Sequence, residues 1–260
     1  MNTLVFDIET IPDVEGGRKI YDLPDDLDDD GVAKAMYHLR YQKSGTEFLP
    51  HHLHRIAAIS VTFRGRGDDF KVWSLGSEGA DEAELIQRFF DGVDRYTPTL
   101  VSWNGGGFDL PVLHYRAMKH KIAAPRYWDQ GDDDSSFKWN NYISRYHSRH
   151  TDVMDLLAMY TGRANAPLDE LATLYGFPGK MGMSGAKVWD AYQAGELPEI
   201  RQYCETDVLN TWLVYLRFQL MRGHVDQERY ERECDIVRKV LQDSEQEHLQ
   251  AFELAWEQGA

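Results

Sequence analysis

The alternation of hydrophobic and polar positions predicts three β-strands in the first third of the chain. Residues 3–10 are rich in β-branched and aromatic side chains and end shortly before Pro12, which is typical of a short strand, and we place it at the centre of a sheet. Residues 55–64 and 70–75 have the same character. A Gly-Arg-Gly-Asp turn at 65–68 joins them, so these two runs are predicted to form an antiparallel hairpin.

Helical patterns and one further strand follow in the middle of the chain. Residues 13–54 have no clean period and are rich in aspartate, so we expect a solvated insertion with one helix near 31–42. Residues 80–95 carry apolar side chains at helical spacing, and 99–103 form a short apolar strand. A helix is expected at 110–120.

The second half of the chain is predicted to be mainly helical. Residues 131–150 read as a polar, aromatic-rich connection. Helices are then expected at 152–161, 168–176, 185–194 and 198–221. Gly223 ends the last of these, and apolar positions recur at near-helical spacing within 225–260, which predicts one or two appended amphipathic helices.

Length and cysteine content indicate one large domain in a reducing compartment. The chain has 260 residues and a mass of 30.1 kDa, enough to bury a sizeable core. Its two cysteines, Cys204 and Cys234, are too few and too far apart for a disulfide framework or a zinc site. No signal peptide and no apolar stretch of about 18 residues is evident. We therefore expect a soluble, cytoplasmic protein with no membrane partner.

The net charge argues at first against a partner made of phosphates. Lys+Arg 28 against Asp+Glu 43 gives −15, whereas a nucleic-acid-binding protein normally has a basic surface. The excess acids, however, are concentrated in 22–30, 132–134 and 225–260, and the rest of the chain has as many bases as acids. The charge therefore does not exclude nucleic acid, although we expect no broad basic surface.

The first candidate for chemistry is a pair of acids on the central strand. Asp7 and Glu9 are two residues apart, so their carboxylates project from one face of the strand. Two buried carboxylates repel each other unless a positive charge lies between them, and a hard cation such as Mg²⁺ or Mn²⁺ prefers oxygen ligands. The alternative is an edge strand whose acids are only solvated, and the pair alone does not decide between the two.

The second candidate is the segment from Asn104 to Asp109. Three consecutive glycines after a strand let the backbone approach a ligand closely, and a helix start follows them. The spacing matches neither a dinucleotide-binding fingerprint nor a P-loop. Taken alone, Asp109 is more simply explained as the N-cap of the helix.

The third candidate is Tyr203 with Asp207, which share one face of a helix because they are four residues apart. A phenol next to a carboxylate can hold a water against a metal ion. Taken alone, the pair is more simply explained as an ordinary packed tyrosine and a solvated aspartate.

In combination, these three motifs resemble the DEDD (DnaQ-like) exonucleases of the ribonuclease-H-like fold. Tyrosine at 203 places the chain in the DEDDy branch, and the greatest similarity is to stand-alone exonucleases like the proofreading domain of family B DNA polymerases. The resemblance covers about 3–222. It implies an α/β fold with a mixed sheet, three antiparallel strands then parallel strands, flanked by helices. We expect an exonuclease domain at 1–222 and an acidic helical extension at 223–260.

The resemblance also implies a two-metal phosphodiesterase. According to the resemblance, Asp7 bridges two divalent cations, which are Mg²⁺ or Mn²⁺. Glu9 and Asp207 complete the site of the ion on the nucleophile's side, and Asp109 holds the other ion. Tyr203 orients the attacking water. The implied reaction is 3′-5′ hydrolysis of single-stranded DNA with release of nucleoside 5′-monophosphates.

Substrate contacts are expected around the acids. By resemblance, the backbone at Thr10 and Ile11, with Asn104 and Phe108, lines the pocket for the terminal nucleotide, and Lys180 is a candidate phosphate contact. The basic and aromatic segment at 137–150 suits stacking of single-stranded bases, or equally a hydrophobic flap. The histidines at 51, 52 and 54 fit no zinc motif.

Two other functions stay open at the level of sequence. Catalytic carboxylates do not read the 2′-hydroxyl group, so a 3′-5′ exoribonuclease that trims RNA is an alternative to a DNase. A non-catalytic binding module on the same fold is a further alternative, although all the motif residues are present. The acidic segment 225–260 is a candidate for self-association or for a protein partner.

Overall fold

A mixed five-stranded sheet forms the centre of the computed structural model, which describes residues 2–259. The strands are β1 (Thr3–Pro12), β2 (His54–Arg64), β3 (Phe70–Ser74), β4 (Thr99–Ser102) and β5 (His150–Asp152). Their order in space is β3-β2-β1-β4-β5. Strand β2 pairs antiparallel with both β1 and β3, and β4 pairs parallel with both β1 and β5. The predicted α/β class, with three antiparallel strands followed by parallel strands and β1 at the centre, is confirmed.

Helices cover both faces of the sheet. They are α1 (Val14–Tyr21), α2 (Asp29–Ser44), α3 (Glu82–Tyr96), α4 (Asp109–His120), α5 (Pro125–Trp128), α6 (Val153–Leu157), α7 (Leu168–Leu174), α8 (Val188–Gln193), α9 (Leu197–Met221), α10 (Gln227–Gln242) and α11 (Glu247–Gly259). Short 3₁₀ turns lie at His51–Leu53, Ser135–Lys138, Gly162–Ala164 and Gly185–Lys187. Among residues 2–259, no helix is both long enough and apolar enough to span a membrane.

Strand β1 divides its side chains between two cores. Phe6 and Ile8 belong to the core packed by α3 and α4, whereas Val5 belongs to the core packed by α9, α10 and α11. Because side chains alternate along a strand, Asp7 and Glu9 share the side of Val5 and face α9. The alternation of side chains along β1 therefore places Asp7 and Glu9 on the side of the sheet that faces α9.

The second half of β1 has a neighbouring strand on one side alone. Its pairing with β2 continues to Pro12 with a bulge between Glu9 and Thr10, but its registered pairs with β4 end at Val5 opposite Val101. Beyond Val5, the backbone on the β4 side needs other hydrogen-bond partners. This gap beside the central strand is where the candidate site lies.

Three sequence expectations were wrong in detail. Residues 13–54 are more than a solvated insertion: they form two helices, and Val32, Met36, Leu49 and Leu53 make a small core of their own. The 131–150 connection ends in strand β5, which the sequence did not indicate because it is three residues long. The helix expected at 152–161 covers Val153–Leu157 alone.

The C-terminal helices are packed into the body of the protein. Leu241, Leu249, Phe252 and Trp256 are buried in the same core as Val5. Hydrogen bonds reinforce this packing: His248 of α11 contacts Glu205 of α9 at 2.7 Å. The expected helical content of 225–260 is confirmed, and its apolar side faces the protein's own core.

Candidate active site

The carboxylates of Asp7 and Glu9 lie together on β1. Atoms of Asp7, Glu9 and Cys204 that could bind a metal ion all lie within 4.8 Å of one another. Glu9 is buried at 7% exposure and Asp7 is half-buried, so the acids are not on an edge strand in open solvent. Asp109 and Asp207 lie outside this closest group but influence it electrostatically.

Asp109 joins the site through a backbone contact rather than as a helix cap. It is the first residue of α4, and the N-cap position belongs to Phe108. Its Oδ1 accepts a hydrogen bond of 3.1 Å from the backbone N–H of Ile8. The N-cap interpretation of Asp109 was therefore wrong, because the carboxylate instead takes the place of a missing strand partner next to Asp7 and Glu9.

The glycine-rich turn between β4 and α4 is held by an acid that the sequence did not single out. Asp152, at the end of β5, accepts hydrogen bonds from the backbone N–H groups of Asn104 at 3.0 Å and Gly106 at 2.8 Å. A side chain at Gly105 or Gly107 would collide with Ser102 or with the Asn104 amide, respectively. Tight packing around Asp152 thus fixes where α4, and with it Asp109, begins.

Helix α9 brings Tyr203 and Asp207 to the opposite side of the site. Burial raises the pKa of Asp207 to about 7, against the opposing effects of the Tyr203 phenol and Lys180. Asp169, at the start of α7, adds to this rise and is a further acid that the sequence reasoning missed. Burial and the charges of Asp207 and Glu9 also raise the pKa of Tyr203, so its hydroxyl group stays protonated and can donate a hydrogen bond.

The remaining acids are destabilised as anions. Burial raises the pKa of Asp7 well above its ordinary range, and the charges of Asp109, Glu9 and Asp207 add to the effect. The pKa of Glu9 is also raised well above its ordinary value, first by burial and then by the charges of Asp207 and Asp109. Burial brings the pKa of Asp109 to about 7 despite two backbone hydrogen bonds. Four carboxylates from three distant segments thus repel one another in a desolvated place.

The donor set fits a hard divalent cation. Lys180 opposes the rise in the pKa of Asp207, whereas burial and neighbouring acids raise the pKa of Asp7 and Glu9. Carboxylate oxygens are the ligands that Mg²⁺ and Mn²⁺ prefer, and a bound cation would relieve the repulsion. Burial raises the pKa of the Cys204 thiol well above its usual value, so Cys204 contributes an S–H group next to Asp7, at 3.5 Å from Oδ2, rather than a thiolate.

One residue predicted to contact a terminal nucleotide, Thr10, follows Glu9 on β1 and is bound to a histidine. Thr10 Oγ1 is 2.9 Å from Nδ1 of His54, whose Nε2 contacts the Leu49 carbonyl at 3.1 Å. Burial lowers the pKa of His54 to about 4, so its ring is neutral, and the carbonyl fixes the proton on Nε2. The Thr10 hydroxyl group therefore donates to His54. The ring of Phe108 packs on that histidine at 5.1 Å between centroids.

The other substrate candidates differ in accessibility. Ile11 is 2% exposed and packs in a small core with α8, so its backbone alone is available for a ligand. Asn104 adopts a left-handed conformation with φ of 62° at the head of the turn, and Lys180 is exposed. In the segment 137–150, Phe137 is fully buried whereas Tyr146 is 80% exposed, so this segment combines a packed flap with solvent-facing rings.

Fold and site together define an α/β protein whose central strand carries a buried carboxylate cluster facing a long helix. The chain belongs to a family described as "Predicted 3'-5' exonuclease related to the exonuclease domain of PolB", whose model matches residues 46–256. The matched range includes Asp109, Tyr203 and Asp207. It starts after β1, so Asp7 and Glu9 lie outside it.

Two similar proteins are DNA polymerases. DNA polymerase 1 of Sulfurisphaera ohwakuensis is 50% identical over 38 residues, which is 15% of this chain and 4% of the polymerase. The solved structure of the family B DNA polymerase from the hyperthermophilic archaeon Pyrobaculum calidifontis matches with a TM-score of 0.49 and 19% identity. That match covers 85% of this chain and 24% of the polymerase chain. In each comparison the chain spans a small part of the polymerase's length.

Proposed function

We propose that the protein is a two-metal-dependent 3′-5′ exonuclease that hydrolyses single-stranded DNA and releases nucleoside 5′-monophosphates. The observation that carries this proposal is the meeting of four buried or half-buried acids from β1, α4 and α9, with Lys180 acting on Asp207 as the opposing charge. Such a cluster is unfavourable without a ligand of opposite charge. Membership of a predicted 3′-5′ exonuclease family supports the same reaction.

Asp7, Glu9, Asp109 and Asp207 would hold the two cations. Bound there, divalent ions supply an activated water and stabilise the leaving oxygen of an in-line displacement. Asp7 interacts electrostatically with all three other acids and would be the ligand shared by the whole set. All four acids would serve as ligands, so none of the four would act as a separate general base.

Tyr203 and the neighbouring loops would orient the substrate. The Tyr203 hydroxyl group stays protonated and can donate a hydrogen bond to the attacking water or to a phosphate oxygen. Thr10 follows Glu9 on β1, Asn104 lies in the turn that Asp152 holds before α4, and Phe108 offers an aromatic edge on which a terminal base can rest. Lys180 supplies a positive charge next to Asp207, suited to a phosphate.

Digestion of 5′-labelled single-stranded DNA in Mg²⁺ or Mn²⁺ tests this proposal. We expect a ladder of products that shortens from the 3′ end, mononucleotides with a 5′-phosphate, and no reaction in chelator. Asp7→Asn should lower the rate by about a thousandfold or more. The same substitution at the exposed Asp235 of α10 is the matched control and should leave the rate unchanged.

Matched RNA oligonucleotides in the same assay distinguish a DNase from an RNase. Faster cleavage of RNA would make the protein an exoribonuclease with the same site. Full activity in Asp7→Asn would contradict the assignment of the site. Oligonucleotide binding without turnover in either metal would contradict catalysis and favour a binding module.

A further inference from the structure

Two cavities join into one groove along the β5 edge of the sheet. They have volumes of about 550 Å³ and 570 Å³ and share Ser148, Thr151 and Arg222 in their walls. The first begins at Gly106 and Gly107 of the turn that leads into α4 and Asp109. The groove therefore starts next to the candidate active site and extends away from it.

The far half of the groove is strongly basic. Arg66 of the β2–β3 turn, Arg222 after α9 and Arg229 of α10 all line it and are exposed. None of these three has an ion pair within residues 2–259, whereas Arg64 beside them is neutralised by Glu233 at 2.7 Å. Three unpaired guanidinium groups around one cavity contrast with a net charge of −15 for the chain.

The near half of the groove is lined by aromatic rings. Tyr146 is 80% exposed, and its ring lies 6.0 Å from that of Tyr160. Arg145 lies over the Tyr160 ring at 4.2 Å, and its carbonyl accepts a hydrogen bond of 2.9 Å from the Tyr160 hydroxyl group. These contacts hold the ring of Tyr160 in place. Such rings are typical surfaces for stacking single-stranded bases without reading their sequence.

Apart from Glu233, which is paired with Arg64, the acids that line the groove lie at its active-site end. Asp152 and Asp155 each come within 4 Å of a side-chain position built at Gly106. From there to the arginines, the groove runs back along the sheet: Thr3 lines the basic half, and Asp7 follows four residues later on β1. At the rise of a β-strand this is about 13 Å. At about 3.4 Å per nucleotide, a stacked strand of about four nucleotides spans that distance.

We propose that this groove holds the single-stranded nucleic acid that leads to the cleaved 3′ end. The bases stack on Tyr146 and Tyr160, and the phosphates pair with Arg66, Arg222 and Arg229. The inference rests on the proposed exonuclease function for the identity of its ligand. It is compatible with the expectation that no broad basic surface exists, because the fold collects Arg66 of the β2–β3 turn with Arg222 and Arg229 from the end of α9 and the start of α10 into one local wall.

Binding of fluorescently labelled oligothymidylate in EDTA tests the groove apart from catalysis. The wild-type protein should bind a strand of about twelve nucleotides much more tightly than one of about three. Replacing Arg66, Arg222 and Arg229 together by alanine should weaken binding of the long strand by about tenfold or more. It should also reduce the slope of log K against log salt by about 2, since each phosphate contact on a single strand contributes about 0.7.

Arg232→Ala is the matched control, because Arg232 lies on the same helix, is exposed and pairs with Asp68 at 3.2 Å outside the groove. It should change neither affinity nor slope. Tyr146→Ala should weaken binding of the long strand without changing the salt slope. If the triple arginine variant binds the long strand with wild-type affinity and slope, the groove is not the path of the strand. If inorganic phosphate displaced the labelled strand as effectively as an unlabelled oligonucleotide does, the groove would be a site for a single anion. That result would also overturn the proposal.

Kinetics with Mg²⁺ separates this inference from the proposed function. If the enzyme cleaves DNA, the triple variant should lower the ratio of kcat/KM for long over short strands. If the triple variant cleaves DNA with an unchanged ratio, the groove is not the path of the strand, whereas the proposed exonuclease function is supported. If the wild-type protein does not cleave DNA but binds it in an arginine-dependent way, the proposed exonuclease function is contradicted, whereas the groove is supported as a binding site for the strand.

Discussion

The backbone N–H of Ile8 donates its hydrogen bond to the carboxylate of Asp109, 3.1 Å away and 101 residues later in the chain. Strand β4 has already ended at this level, so a side chain from the start of α4 completes the hydrogen bonding of the central strand. The same carboxylate faces Asp7 and Glu9. A predicted metal ligand thus has a structural role that a mutation can separate from its charge.

Asp109→Asn and Asp109→Ala should therefore differ in stability but not in activity. Asparagine keeps an oxygen that can accept from Ile8, whereas alanine leaves a buried N–H group unpaired at a cost of about 1–3 kcal/mol. Both variants should lose nearly all nuclease activity because both lose the charge. Urea unfolding combined with the DNA-digestion assay checks this, and equal stability of the two variants would contradict the role of the hydrogen bond.

The stability of the metal-free protein should fall as pH rises. The pKa values of Asp109 and Asp207 are about 7 in the folded protein, well above those of exposed aspartates, so the folded state binds more protons than the unfolded state between about pH 4 and pH 7. Stabilisation by these protons is complete below that range and is lost as pH rises through about 7. Thermal unfolding in EDTA from about pH 5 to pH 8 measures this trend.

Divalent cations should reverse the trend. They need ionised carboxylates and compete with protons, so Mn²⁺ or Mg²⁺ should raise the melting temperature more at about pH 8 than at about pH 5. Asp7→Asn should make the metal-free protein more stable near neutral pH, by about 3 °C for each kcal/mol of relieved repulsion, and weaken the response to metal. Equal effects of Mn²⁺ on the two proteins would argue against the proposed site.

Glu205 and Asp207 should respond differently to loss of charge, although they are two residues apart. Glu205 faces away from the site, and accepts hydrogen bonds from Ser74 at 2.6 Å and His248 at 2.7 Å, which lower its pKa. Glu205→Gln should cost about 1–3 kcal/mol of stability and keep catalysis within about threefold. Asp207→Asn should abolish activity and leave the fold intact. A loss of kcat in both variants at equal stability would contradict this division.

Tyr203→Phe should lower kcat by about tenfold to a hundredfold and leave the melting temperature almost unchanged. The phenol is half-buried and interacts with Asp207, and its raised pKa means that it acts as a donor across the ordinary pH range. The pH–rate profile of the wild-type enzyme should therefore show no step from a tyrosinate. Wild-type kcat in the variant would remove Tyr203 from the proposed mechanism.

The C-terminal helices should contribute strongly to stability. Trp256 of α11 is 3% exposed in the core shared with Val5, and the guanidinium group of Arg238 lies over its ring at 3.9 Å. Trp256→Ala should cost about 3–5 kcal/mol. Leu254→Ala on the same helix, where the side chain is 54% exposed, should change stability by less than about 0.5 kcal/mol. Equal effects in urea unfolding would show that α11 is loosely attached.

Local patterns were sufficient to predict most of the elements that carry the site. Alternation along β1 fixes the common side of Asp7 and Glu9, and a spacing of four residues on α9 places Tyr203 and Asp207 on one face. These relations depend on backbone geometry over a few residues. They can therefore be derived without knowledge of the packing.

Contacts between distant segments could not be derived in this way. Asp152 looks like one more polar residue before a helix, yet it holds the turn at Asn104 and Gly106 across 48 and 46 residues. The N-cap interpretation of Asp109 failed for the same reason, because the missing partner of Ile8 is visible in the sheet alone. The gathering of Arg66, Arg222 and Arg229 likewise depends on the three-dimensional path of the chain.

The core shared by Val5 and Trp256 also bears on how the protein is made. A ribosome delivers Val5 first and Trp256 some 250 residues later, so the side of β1 that carries Asp7 and Glu9 stays uncovered during most of synthesis. Such long-range contacts slow folding and keep hydrophobic surface exposed to chaperones. The core on the side of β1 that carries Asp7 and Glu9 is therefore completed only after α10 and α11 have left the exit tunnel.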